Sequence, residues 1–129
     1  MAVMELTIGN QVYEFKAGIG FMREANKRVV EKIDNTDTYR GVGLTYLVAG
    51  IIDGDIDDLV DALDLMNKGM KPRVTRAQLD EYVEDVEDID KLFEDVLDFF
   101  ANANVSKRIV KNLTERIKKA QEAEQAKGK

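Results

Sequence analysis

The 129-residue sequence contains no cysteine, no histidine, no tryptophan and only one proline. Without cysteine the chain can form no disulfide and offers no thiolate to a metal, which fits a reducing compartment. Without histidine it lacks the commonest general base and the commonest transition-metal ligand. Nucleophilic catalysis by cysteine or by a serine–histidine pair is therefore excluded. We predict a protein that is not an enzyme, has no catalytic residues and needs no cofactor.

The sequence also lacks a long hydrophobic run. No apolar stretch approaches the roughly 18 residues that cross a bilayer, and the N-terminus lacks the basic-then-apolar pattern of a signal peptide. Hydrophobic residues make up 44% of the chain and charged residues 34%, a balance typical of soluble globular proteins. We therefore expect a cytosolic protein without a membrane partner.

The net charge of -6 is unevenly distributed along the chain. Residues 1–52 are balanced, residues 53–98 carry a net charge of -11, and residues 99–129 carry +5. Such asymmetry can steer a charged protein partner or favour head-to-tail contacts. The acidic part repels nucleic acid, and the basic end beyond Phe100 has no aromatic residue to stack on bases. We expect no nucleic-acid partner.

The N-terminal residues predict a β-hairpin. Leu6 and Ile8 alternate with polar residues, as do Val12 and Phe15 less regularly, and the dipeptide Gly9-Asn10 between the two runs suits a tight turn. An isolated hairpin is only marginally stable in water, so we expect this one to pack on a helix.

Helical periodicity predicts about six amphipathic helices after the hairpin. The first is expected to extend to Ile33, and Asp37 or Thr38 is expected to cap the second. Gly41 and Gly43, near the start of the second helix, indicate either close approach of another backbone or simple flexibility. The six apolar stripes are Phe21, Met22, Ala25, Val29 and Ile33; Leu44, Leu47, Val48 and Ile51; Ile56, Leu59, Val60, Leu63 and Met66; Leu79, Tyr82, Val83 and Val86; Ile89, Leu92, Phe93, Val96, Leu97 and Phe100; Val105, Ile109, Val110, Leu113 and Ile117.

Local signals mark several helix ends. Gly69 and Pro72 indicate the connector after the third helix. Thr75 followed by Gln78 predicts a capping box at the start of the fourth. Asp88 and Ser106 are expected to cap the fifth and sixth helices; those two residues lie at the start of the last two stripes.

One acidic stretch has the spacing of a metal site. Asp53, Asp55 and Asp57 stand at alternate positions, as the first ligands of a calcium loop do. The sixth and twelfth positions of such a loop would be Asp58 and Asp64, where the motif needs glycine and glutamate. We therefore interpret Asp55 as a helix cap and predict no metal site.

These observations predict an α+β, mainly helical fold, with the N-terminal β-hairpin packed on a bundle of about six short amphipathic helices. Residues 1–120 are expected to form a single globular domain. Residues 121–129 are polar and are expected to form a flexible C-terminal tail.

Binding to another protein is the remaining possibility for function. Phe99 is adjacent to Phe100, so both cannot face one core, and Phe99 is a candidate contact residue. The last helix is flanked by basic residues, and its stripe can pack back on the core or face a partner. The candidate partner-binding residues are Phe99, Ile109, Val110, Leu113 and Ile117.

The sequence from about Met4 to Leu113 resembles the phage tail assembly chaperones of long-tailed phages and prophages of Gram-positive bacteria. Three stretches carry the resemblance: "LTIGNQVYEFKAGIGFMREANK", "GVGLTYLVAGIIDGDIDDLVDALDLMNKG" and "PRVTRAQLDEYVEDVEDIDKLFEDVLDFFANAN". Their order is a hairpin, a helix entered through glycines, "DGD" before an acidic helix, a proline connector and a helix start of the form T-x-x-x-L-D-E-Y.

The resemblance implies a function that residue chemistry does not supply. Proteins of this family bind the tape measure protein, keep it soluble and help to recruit tail tube subunits in the host bacterial cytoplasm, and they are absent from the mature virion. Many are made in two lengths through a programmed ribosomal frameshift near the end of the shorter form, which here would be "AEQAKGK". The implied partners are therefore the tape measure protein, the tail tube protein, and a frameshifted longer form or further copies of the chain itself.

Two other classes stay open on the residues alone. One is an acidic protein-interaction module, such as an inhibitor or a nucleic-acid mimic without catalytic activity. The other is an enzyme of a kind not evident from the sequence, which would need a concave pocket with perturbed carboxylates.

Overall fold

The computed structural model describes residues 3–127, and Met1, Ala2, Gly128 and Lys129 lie outside this range. The described part contains six helices and two antiparallel hairpins, so the predicted α+β, mainly helical class with an N-terminal hairpin is confirmed. The elements in chain order are β1 (Val3–Ile8), β2 (Gln11–Lys16), α1 (Ile19–Asn26), β3 (Val30–Lys32), β4 (Tyr39–Gly41), α2 (Gly43–Asp53), α3 (Ile56–Asn67), α4 (Arg76–Asp85), α5 (Ile89–Asn102) and α6 (Lys107–Lys127).

The first hairpin has the predicted turn, with Gly9 at a φ of 66°. Leu6 pairs with Tyr13 across the two strands, and Tyr13 and Phe15 are buried. Val12, which the sequence suggested as an apolar partner of Phe15, is 46% exposed. Because successive side chains of a strand point to opposite faces, the inward set has to be Tyr13 and Phe15 and cannot include Val12.

The prediction of a helix reaching Ile33 is wrong. Helix α1 ends at Asn26, and Val30 pairs with Gly41 in a second, short hairpin. The valine pair Val29-Val30 fits a strand better than a helix, because β-branched side chains lose rotamer freedom in a helix. The predicted cap of the second helix at Asp37 or Thr38 is also wrong, because both residues lie in the turn between β3 and β4.

Helix α2 is capped by a residue distant in sequence. The side-chain oxygen of Asn26 accepts a hydrogen bond from the backbone N–H of Leu44 at 3.0 Å. This contact brings the end of α1 so close to α2 that a Cβ on Gly43 would lie 1.8 Å from the carbonyl oxygen of Ala25. A Cβ on Gly41 would lie 2.5 Å from the carbonyl oxygen of Asn26. The predicted close approach of backbones at these glycines is therefore confirmed.

The local caps of α3, α4 and α5 are confirmed. In each case a side-chain oxygen accepts from a backbone N–H three residues further on, which satisfies a donor of the first helical turn. The bonds join Asp55 with Asp58 N (2.9 Å), Thr75 with Gln78 N (3.1 Å) and Asp88 with Lys91 N (3.0 Å). The Gln78 side-chain oxygen in turn accepts from the backbone N–H of Thr75 (2.9 Å). The acidic residue Asp55 thus begins a helix, as predicted.

The core lies between the first hairpin and the helices. Strand β2 contacts α3, and Phe21 of α1 stacks on Phe100 of α5 with ring centroids 5.7 Å apart. Leu59, Leu63 and Phe15 are fully buried in the same cluster. Burial of each such side chain contributes roughly 1.5–3 kcal/mol to the free energy of folding. The main role of the apolar helical stripes is therefore to form the core.

One buried amide, that of Asn67, joins the hairpin to the helices. Its Nδ2 donates to the carbonyl oxygens of Glu14 (2.9 Å) and Pro72 (3.3 Å). Its Oδ1 accepts from the backbone N–H of Val74 (2.7 Å) and from the Arg73 guanidinium (3.1 Å). The side chain is fully buried, and so is the Val74 N–H that it satisfies, so this amide pairs its own polar atoms and a buried backbone donor.

A carboxylate of α3 is held by two arginines. Asp61, whose side chain is 12% exposed, accepts from Arg28 at 2.8 Å and from Arg76. Burial by itself raises the pKa of Asp61, but the hydrogen bonds from Arg76 and Arg28 outweigh it and hold the pKa below the usual value of 3.8. The charged carboxylate is therefore the favoured form in the folded state.

We expect Asp61→Asn to lower the free energy of unfolding at pH 7 by about 1–2 kcal/mol, because the two arginines lose their charged partner. The folded-state pKa of Asp61 is depressed, so this contribution is present above pH 3.8 and is lost as the pH falls through the folded-state pKa. Urea unfolding at pH 7 and at pH 3 measures it, with exposed Asp34→Asn as the control. A difference between wild type and Asp61→Asn that stays constant with pH would contradict the assignment.

Candidate partner-binding surface

Helix α6 begins at a buried turn. Ser106, the predicted cap, lies directly before the first residue of α6, and its hydroxyl donates to the carbonyl oxygen of Phe100 at 2.6 Å. The backbone N–H of Lys107 donates to the carbonyl oxygen of Ala103 at 2.8 Å. These bonds fix the start of α6 against the end of α5. In this contact the Ser106 hydroxyl is a hydrogen-bond donor, whereas a helix cap accepts from a backbone N–H.

The first two turns of α6 pack on the body. Val110 is buried, and Ile109 and Leu113 are half-buried against the core cluster. Helices α5 and α2 supply the surface on which these residues lie. Val110 therefore anchors the helix, while Ile109 and Leu113 keep part of their surface accessible.

The remainder of α6 extends away from the body. Every residue from Thr114 to Lys127 is exposed, which corresponds to a free helix of about 21 Å at 1.5 Å per residue. Ile117 is 38% exposed and lies one turn after Leu113. Residues 121–127 are helical; the flexibility expected of 121–129 stays a prediction, and 128–129 lie outside the described residues.

The charge of α6 contrasts with that of the body. Its 21 residues contain seven lysines and arginines and three glutamates, a net charge of +4. An exposed apolar strip flanked by basic residues is typical of a helix that pairs with another amphipathic segment. The strip consists of Ile109, Leu113 and Ile117, which lie on one helical face.

Phe99 lies apart from this strip. Its ring is half-buried and tilted against Phe100, with centroids 6.5 Å apart, and it faces a groove lined by Val3 and Met4 of β1. The structure thus separates the five predicted contact residues into three groups. Ile109, Leu113 and Ile117 form the α6 strip, Val110 is buried, and Phe99 lies beside strand β1.

Sequence reasoning missed a further exposed apolar patch on the second hairpin. Val30 is 60% exposed and Tyr39 is 64% exposed. Tyr46 of α2 is also exposed, and its hydroxyl donates to Glu31 at 2.8 Å, a bond that raises the pKa of Tyr46. The β-branched pair Val29-Val30 before the "NTDT" turn and Tyr39 directly after it are the signal that could have revealed this strand pair.

Among residues 3–127, no three acidic side chains converge in an arrangement suited to a metal ion. In the same range, no helix combines the length and the hydropathy that a membrane span requires. Grooves on the described surface are open to solvent and have mixed polar and apolar linings.

Comparison with known protein families gives a match over most of the chain. A family described as "Phage tail assembly chaperone protein, TAC" matches residues 5–115. The matched range begins within β1, covers the rest of both hairpins, helices α1–α5 and the packed part of α6, and ends where α6 leaves the body. Searches of curated proteins and of solved structures found no match.

Proposed function

The chain belongs to the phage tail assembly chaperone family, and on that premise we propose that it binds the tape measure protein through α6 and keeps it soluble. We propose further that it helps to recruit tail tube subunits in the host bacterial cytoplasm and is absent from the mature virion. The family is one of chaperones rather than a known class of enzyme, and it implies tail proteins as partners.

The observation that carries this proposal is the exposed half of α6. A long helical client needs a soluble partner that covers its apolar face, and this requires accessible apolar surface on a rigid support. Helix α6 has such a support, because Val110 and Ser106 fix its first turns in the core. Its accessible strip then meets the client without unfolding of the body.

The strip also explains how binding can be reversible. Ile109 and Leu113 are half-buried and Ile117 is 38% exposed, so the apolar area available to a client is small. Small interfaces are typical of transient contacts. A chaperone that leaves the finished tail needs weak contacts of this kind between each chaperone copy and the client. Several copies bound along one client would together give a higher overall affinity.

We expect Ile117→Asp to weaken capture of the tape measure protein about tenfold, because a charge replaces the most exposed apolar side chain of the strip. A chain that ends after Thr114 should lose capture to at least the same degree. Co-expression with fragments of the tape measure protein from the same genome, followed by quantitative pull-down, measures both.

Ile56→Asp is the matched control, since Ile56 is an equally isolated exposed isoleucine, at the start of α3 (47% exposed). Removal of residues 115–129 leaves every buried side chain in place, so the thermal midpoint should change by no more than a few degrees. Undiminished capture by both α6 variants, with a folded body, would refute the role of α6.

A longer frameshifted form is a separate proposal that follows from the family. Helix α6 ends exposed at Lys127, so an extension there would project from the body. Intact-mass analysis of the products of the native gene distinguishes one product from two. A slippery sequence near the codons of "AEQAKGK" would mark the place of the shift.

A further inference from the structure

Strand β1 has an unused edge. Within residues 3–127 it pairs with β2 alone, and the two-residue turn makes Ile8 and Gln11 the first pair. Hydrogen-bonded and non-bonded pairs alternate in an antiparallel ladder, so the backbone N–H and C=O of Glu5 and Thr7 point away from β2. Groups of this kind are a template for another strand.

A groove follows this edge beside α5. The groove has a volume of 320 Å³, and four consecutive residues of β1, from Val3 to Leu6, line it. Because consecutive residues of a strand point to opposite faces, a groove that touches all four runs along the strand edge. Its other wall is one face of α5, formed by Asp95, Asp98, Phe99 and Asn102.

A second groove continues at the far end of β1. It has a volume of 370 Å³ and lies between Ile8 and the face of α4 that carries Tyr82 and Asp85. Both grooves border strand β1, the first at Val3 to Leu6 and the second at Ile8, and we call them together the β1-edge groove.

The charge of the β1-edge groove has one sign. Its lining includes no lysine or arginine, and Lys91 reaches the rim only at Asp95 (3.2 Å). Leu6, Ile8 and Phe99 supply apolar surface below the rim. The acidic side chains of the lining are Glu5, Glu81, Asp85, Asp95 and Asp98.

We propose that the β1-edge groove binds an extended, basic segment of a partner polypeptide, which adds to the hairpin as a third strand. An extended segment fits better than a helix, because only an extended backbone can use the unpaired groups of Glu5 and Thr7. A third strand also strengthens a two-stranded sheet. This surface is separate from the α6 strip, so the inference goes beyond the proposed function.

A labelled six-residue peptide of alternating lysine and valine is a suitable probe. In fluorescence anisotropy it should bind saturably below about 1 mM and more weakly at high salt, because the facing charges are exposed. A glutamate–valine peptide should not bind. A lysine–valine peptide with N-methylated amides should also fail, since it cannot complete the strand pairing.

The double variant Asp85→Asn/Asp98→Asn should weaken binding of the lysine peptide about three- to tenfold. Glu84→Gln/Glu94→Gln is the matched control, because it removes two acidic charges from the same two helices outside the groove lining. Equal affinity of wild type and both variants would overturn the role of the groove.

Amide hydrogen exchange followed by NMR tests the strand addition itself. The bound peptide should slow exchange at Glu5 and Thr7, whose N–H groups point outward, and leave Leu6 nearly unchanged. Binding without this alternate protection would overturn the proposal, as would no binding at 1 mM. The chain that ends after Thr114 should bind the peptide normally, so loss of α6 function and loss of groove function are separable.

Discussion

Gly43→Ala is expected to lower the free energy of unfolding by about 3 kcal/mol or more. The new Cβ would lie 1.8 Å from the carbonyl oxygen of Ala25. Backbone has to move to relieve that contact, and the movement separates α1 from α2. The same shift would break the bond from Leu44 N–H to Asn26 that caps α2.

Gly20→Ala is the matched control, since a Cβ at Gly20 would meet no atom within 4 Å. Gly20 lies in α1, where alanine is favoured over glycine by about 1 kcal/mol, so this variant should be slightly more stable than wild type. Chemical denaturation of the three proteins measures both effects. Equal stability of Gly43→Ala and wild type would show that α1 and α2 are not packed as closely as described.

Asn67→Ala is expected to lower the free energy of unfolding by about 3–4 kcal/mol. The substitution removes the partner of the buried Val74 N–H and of the carbonyl oxygens of Glu14 and Pro72. The Val74 N–H is buried, so it loses its hydrogen bond without replacement by water, and the loss of the two bonds to carbonyl oxygens adds to this cost. The first hairpin should also exchange its amides faster, because Asn67 ties β2 to α3.

Two further variants separate hydrogen bonding from volume. Asn67→Asp keeps the size but places an acceptor opposite two carbonyl oxygens, so we expect it to be at least as destabilising as alanine at pH 7. Asn102→Ala removes an exposed amide, which donates to the carbonyl oxygen of Asp98, and should change stability by less than about 0.5 kcal/mol. A small effect of Asn67→Ala, measured by urea unfolding, would contradict the role of the amide.

The two large effects share a cause that is not visible in the sequence. The sequence marks Gly43 as a site of close approach, but it predicts that the neighbouring segment, the end of α1, continues as a helix to Ile33. Asn67 carries no local signal that distinguishes it from other polar residues at the end of a helix. In both cases the partner is distant along the chain: Ala25 for Gly43, and Glu14 for Asn67.

The candidate surface shows the same division. The apolar stripe of the last helix is evident from spacing alone, and so is its basic character. Val110 is buried and Ile117 is exposed. This difference depends on how far along α6 its contacts with α5 and α2 extend. The groove beside Phe99 depends on the distance between α5 and the edge of β1, which no sequence pattern encodes locally.

Elements whose signals are local follow directly from the sequence. A helix cap, a capping box and a two-residue turn each involve residues at most three positions apart, so Asp55, Thr75, Asp88 and Gly9 can be assigned without a structure. The end of α1 at Asn26, the second hairpin and the exposure of α6 become evident only in the folded chain. The physical reason is that these features depend on contacts between distant segments, and packing of that kind overrides local preference.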